Sequence, residues 1–102
     1  MTLVQLLLPL LDERGRAYPR ALYDDLVRRL TEKFGGVTAY TRSPATGLWE
    51  DASGEKVRDQ VVVYEVMADE LDPDWWGKFR RELEAQFAQD ELVIRAHSVQ
   101  RL

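Results

Sequence analysis

The chain has 102 residues, of which 45% are hydrophobic and 31% charged, a balance that suits one globular domain over residues 1–102 and excludes a disordered chain. A formal charge of −4 argues against a surface built to neutralise phosphates, so nucleic acid is not an expected partner. Cysteine is absent, which excludes disulfides, thiolate metal sites and thiol nucleophiles and suits a reducing cytoplasm.

In chain order, residues 3–8 are apolar apart from Gln5, as expected of a central strand with both faces occupied. The apolar run continues to Leu11, but no basic segment precedes it and Asp12-Glu13-Arg14 follows it directly. It therefore lacks the marks of a secretory signal and is too short to span a bilayer, so no membrane association is expected. Asp12 to Tyr18 forms a polar connection. A helix begins around Pro19, with Leu22, Leu26, Leu30 and Phe34 recurring every four residues and Gly35-Gly36 ending it.

Val37-Thr38-Ala39-Tyr40-Thr41 is a strand by its β-branched and aromatic content, interrupted at Ser43-Pro44 and resuming at Leu48-Trp49. Asp51-Ala52-Ser53-Gly54 makes a turn, and residues 60–67 form the strongest strand in the chain, giving a long bulged hairpin. Asp72-Pro73-Asp74 starts a second helix, with a capping carboxylate, proline in the first turn and an acid suited to the helix dipole. It is expected to run to about Gln89, burying Trp76, Phe79, Leu83 and Phe87, with Trp75 covering its start. Residues 92–99 close the chain as a final strand.

The order strand, helix, strand, strand, helix, strand predicts an α+β ferredoxin-like βαββαβ plait. Right-handed crossovers place both helices on one face of a four-stranded antiparallel sheet in the order 4-1-3-2. Period-two alternation then puts Val4, Leu6, Leu8, Val62, Tyr64, Val66, Leu92, Ile94, Val37 and Ala39 beneath the helices. The opposite face carries Leu3, Gln5, Leu7, Val61, Val63, Glu65, Met67, Val93, Arg95, His97, Thr38, Tyr40 and Arg42. That face is too apolar to stand in water, and a second copy packed across a two-fold axis is the expected cover.

The element order resembles the ferredoxin-like fold over essentially the whole chain, and the half-apolar open face resembles the dimeric α/β-barrel proteins within it. The residues Phe34-Gly35-Gly36-Val37-Thr38, Gly47-Leu48-Trp49, Gly54 and Arg58-Asp59 are similar to small bacterial families of unknown function. These resemblances imply a homodimer. They do not select a chemistry, because the same fold carries monooxygenases, isomerases and haem enzymes.

The candidate ligand-binding residues are His97, Arg95, Glu65, Tyr40, Arg42 and Trp49. His97, the only histidine, shares the open face with Glu65, so the two could serve as acid and base or hold a polar ligand. On the structural alternative, Glu65 and Arg95 form an ion pair and His97 packs at the sheet edge. Trp49 either lines a pocket from the hairpin or anchors it. No metal or cofactor is expected, since a lone histidine with scattered carboxylates shows no ligand spacing, and neither a phosphate loop nor a serine elbow occurs. The expected function is small-molecule binding by a homodimer. The alternatives are a cofactor-independent isomerase or oxygenase, and a protein–protein interaction module.

Overall fold

The computed structural model describes the backbone of residues 1–50, 54 and 56–102, and the side chains of residues 1–41, 54 and 60–102. Its elements run β1 (Thr2–Pro9), α1 (Arg20–Phe34), β2 (Thr38–Glu50), β3 (Lys56–Ala68), α2 (Pro73–Gln86) and β4 (Val93–Ser98). The strands form one antiparallel sheet in the order β2-β3-β1-β4, which is the expected order read from the other edge.

β1 lies between β3 and β4, pairing Val4 with Val66, Leu6 with Tyr64 and Leu8 with Val62 on one side, and Leu6 with Ile94 on the other. These residues share one face because side chains alternate along a strand. Val4, Leu6, Leu8, Val62, Tyr64 and Val66 are buried there against Leu26 and Leu30 of α1 and Trp76, Phe79 and Leu83 of α2. Ala39 departs from expectation: it is exposed. β2 is an edge strand and the helices lie over the central strands, so among the described residues only Val37, just before β2, reaches the core from that side.

β2 runs unbroken through Ser43-Pro44, and the interruption the sequence suggests becomes a register shift between Tyr40 and Ala45. A shift of this kind re-aims a strand without ending its pairing. The hairpin turn at Asp51-Ala52-Ser53 lies outside the described residues, while Gly54 has a φ of 84°.

The two helices stop by different means. α1 ends at Gly35, whose φ of 84° is the left-handed conformation and whose N–H donates to the Thr31 carbonyl at 2.8 Å. α2 stops three residues short of the expected Gln89, without a glycine. Gln89 N donates to Glu84 O at 2.9 Å and Ala88 N to Ala85 O at 3.3 Å, the paired bonds of a Schellman motif. Ala88 occupies the left-handed position, with a φ of 48°. Tyr18 fixes this end from outside, its hydroxyl donating to the Phe87 carbonyl at 2.8 Å while its ring meets Phe87 edge-on.

A side chain in the left-handed region costs about 1 kcal/mol that glycine avoids. Ala88→Gly is therefore expected to stabilise the fold by about 0.5–1 kcal/mol, read as a higher urea midpoint at unchanged m value. A lower midpoint would show that Ala88 is not strained.

Tyr23 gives a pH signature. Its hydroxyl donates to the Pro9 carbonyl at 2.7 Å, and burial, followed by the neighbouring Tyr64 and Tyr18 phenols, pushes it up to about 12 from 10.0. The folded state thus holds this proton more tightly than the unfolded chain, so its contribution is complete below pH 10.0 and is lost as pH rises towards about 12. Urea unfolding from pH 9 to 12 should show falling stability. Tyr23→Phe should flatten that slope while costing about 1 kcal/mol at pH 7 for the lost hydrogen bond.

Candidate functional site

The face of the sheet away from the helices is built by the same registers. Thr38, Glu65, Gln5 and Arg95 lie in one row across four strands, with Tyr40, Val63, Leu7 and Val93 in the next. Leu3, Leu7, Val61 and Val63 are half-buried on this face, while Met67, Tyr40 and Val93 are 51%, 52% and 49% exposed. An apolar floor is thereby left open, and one polar line crosses it.

That line is a chain of hydrogen bonds. Arg95 Nε donates to Gln5 Oε1 at 2.8 Å, Gln5 Nε2 donates to Glu65 Oε1 at 2.7 Å, and the Tyr40 hydroxyl donates to Glu65 Oε2 at 3.3 Å. The amide of Gln5 is used on both sides, and both oxygens of Glu65 accept. Arg95 and Glu65 form no direct ion pair because β1 stands between their strands, which sets their backbones about 9–10 Å apart. Gln5 is the relay that a register-free reading leaves out of the candidate set, although its isolation in an apolar strand marks it.

His97 is exposed and sits opposite Leu3, one row away from the polar line. Two strand spacings across and two residues along place its Cα about 12 Å from that of Glu65, too far for direct proton exchange. Among the described residues its side chain makes no hydrogen bond. The side chains of Arg42 and Trp49 lie outside the described residues. The structure thus joins Arg95, Glu65 and Tyr40 through Gln5 and leaves His97 apart from them.

A second feature lies at the end of the sheet. β2 begins at Thr38, opposite Glu65, so the last residues of β3, Val66 to Ala68, have no β2 partner. The gap opens into a groove of about 740 Å³ between the end of α1, the end of β3 and the start of α2. This size falls within the usual range of small-molecule sites. Phe34, Leu3, Met67 and Trp76 supply its apolar lining and Glu65, Asp69, Glu70 and Asp72 its acids, with Lys33 and Arg101 as its side-chain cations. Glu65 belongs both to the groove and to the polar line, whereas His97, Arg95 and Tyr40 lie outside the groove's lining. Sequence periodicity does not show this groove, which exists because one strand starts short of its neighbour's end.

The groove's walls are held by an aromatic cluster. Phe34 stacks on Trp76 at 5.3 Å between centroids and Trp75 on Phe79 at 4.8 Å, while Lys33 Nζ lies 4.6 Å over the Trp75 ring. Arg29 ties the helices together, reaching Glu82 at 2.8 Å and covering the Phe79 ring at 4.6 Å. Asp72 Oδ1 accepts from Trp75 N at 3.1 Å, so one groove carboxylate is engaged as the cap of α2.

Sheet order, antiparallel pairing and two helices on one face define an α+β ferredoxin-like plait. Solved structures that share it include two of phage SAM lyase. Phage SAM lyase in complex with S-methyl-5′-thioadenosine superposes with a TM-score of 0.63 at 16% identity, over 94% of this chain and 79% of that one. Phage SAM lyase in the apo state gives 0.61 at 12% identity, over 94% and 78%. At these identities the likeness is one of fold. No known family's sequence profile matches the chain, and no curated protein matches it.

Gln5→Ala removes two hydrogen bonds of a half-exposed network and is expected to cost about 0.5–2 kcal/mol in urea unfolding. Arg95→Ala removes one and should cost less. In the double variant the two losses should fall short of their sum, since both changes delete the same Arg95–Gln5 bond. Strict additivity would show that the line is not coupled.

Proposed function

We propose that this chain is a small-molecule-binding protein that acts as a homodimer, each copy covering the open sheet face of the other, with the ligand held where that face meets the groove. The observation that carries the reading is the open face itself: Leu3, Leu7, Val61, Val63 and Met67 form an apolar surface, crossed by one polar line, on a sheet whose other side packs against the two helices. Surfaces of this kind on small domains are covered in the working state, most often by a symmetry mate. The polar line leaves that surface ready to be covered, because Gln5 and Glu65 are already paired within one copy.

A ligand role is supported by the groove and by the fold's use in phage SAM lyase, a protein solved with a small molecule bound. Residues 1–102 act as one domain on this reading. A cytoplasmic setting agrees with the absence of cysteine, and no described helix is long and apolar enough to cross a membrane.

Light scattering of the full chain is expected to give twice the monomer mass of 11.8 kDa. Leu7→Ala and Val63→Ala should each weaken dimerisation by about tenfold or more, the loss expected from emptying a buried apolar contact. His97→Ala, at the sheet edge, should change it less. A monomer at all concentrations would overturn the dimer.

A further inference from the structure

We propose that the groove at the end of the sheet takes a flat organic cation that also carries a hydrogen-bond acceptor; this rests on the small-molecule reading above and names the ligand class. Charge supplies the first argument. The rim carries four carboxylates, Glu65, Asp69, Glu70 and Asp72, against two side-chain cations, Lys33 and Arg101, with Met1 and its amino group the third cationic residue in the lining. Lys33 lies over the Trp75 ring at 4.6 Å and the Phe34 ring at 5.8 Å, and the C-terminal end of α1, where backbone carbonyls concentrate negative potential, opens onto the same space at Phe34 and Gly35. A concave site with one excess sign of charge concentrates the opposite sign.

Trp76 supplies the second, independent argument. Its side chain is only 6% exposed and lines the groove. Its indole N–H makes no hydrogen bond, and among the described residues no fully buried side-chain nitrogen or oxygen lacks a partner. The indole nitrogen therefore keeps some exposure, as a donor without an acceptor among the described residues, on a side chain that lines the groove. Buried tryptophan N–H groups ordinarily find one. A ligand carbonyl or ring oxygen would satisfy it while the cationic end lies among Asp69 and Glu70, neither of which has a side-chain partner among the described residues.

The apolar lining of Phe34, Leu3 and Met67 asks for a planar or aliphatic body between those two ends. The space of about 740 Å³ admits a molecule of several rings and excludes nothing smaller. An anionic ligand would meet more acids than cations, and a bare metal ion would leave the indole donor and the apolar wall unused.

The test uses three probes with one ring and different charge: 1-methylnicotinamide as cation, nicotinamide as neutral isostere and nicotinate as anion, each offering a carbonyl acceptor. Binding to the full-length protein is followed by the nitrogen-15 correlation spectrum, reading the Trp76 indole cross-peak. The cation is expected to move that peak with an affinity about tenfold or more above that of nicotinate, weakening as salt rises. Asp69→Asn combined with Glu70→Gln, two exposed changes that leave the core intact, should reduce the cation's affinity about fivefold or more. Equal or stronger binding of nicotinamide or nicotinate at this peak would overturn the cation class and leave the small-molecule reading standing. Failure of all three to move it would overturn both. Unchanged cation affinity in the double variant would also overturn the proposal, because the acids would then play no part.

Discussion

The position of β1 between β3 and β4 governs this structure. Once Val4, Leu6 and Leu8 are committed to the helices, alternation commits Leu3, Gln5 and Leu7 to the other face, and the two neighbouring strands must follow in register. A slip of one residue would drive Gln5 and Glu65 into the core beside Leu26 and Leu30, where unpaired polar groups would cost several kcal/mol. The helices, the open face and the polar line are consequences of that single choice.

The same constraint explains how much the sequence reveals. Element order and face assignment follow from periodicity, because Leu22, Leu26 and Leu30 repeat like a helix and Val62, Tyr64 and Val66 alternate like a strand. Only alternation puts Ala39 beneath the helices, and alternation says which side a residue faces without saying whether a helix stands over it. The end of α2 was hidden for a different reason. Ala88 adopts a conformation that glycine usually signals, held there by the Gln89 and Tyr18 contacts rather than by local preference. Tertiary bonds outweighed a propensity of about 1 kcal/mol.

The candidate site divides in the same way. Face membership of Glu65, Arg95, Tyr40 and His97 is legible because it needs only the period of the strand. Their mutual distances are not, because distance depends on register and strand order together. Gln5 becomes the relay only when β1 is known to separate β3 from β4, and His97 drops out of contact only when it is seen to face Leu3. The groove is further from the sequence still. It arises from the offset between the start of β2 and the end of β3, and three of its four acids, Asp69, Glu70 and Asp72, come from the polar connection after β3, where no periodicity operates.

The open face combines two demands that usually conflict, since an apolar surface favours association while polar groups within it resist losing water. Here the conflict is reduced inside one chain. Both ends of the Gln5 amide and both oxygens of Glu65 already have partners, so excluding water from this line strands no uncompensated acceptor at its centre. The remaining donors of Arg95 lie at the β4 edge, where the side chain is exposed and can stay hydrated. Glu65 is the point at which this internally satisfied line touches the groove. A change of charge in the groove would therefore be felt first by the Glu65 carboxylate and then, through Gln5, at the far edge of the sheet. The open face and the groove thus share one side chain, Glu65, which lines the groove and belongs to the hydrogen-bonded line.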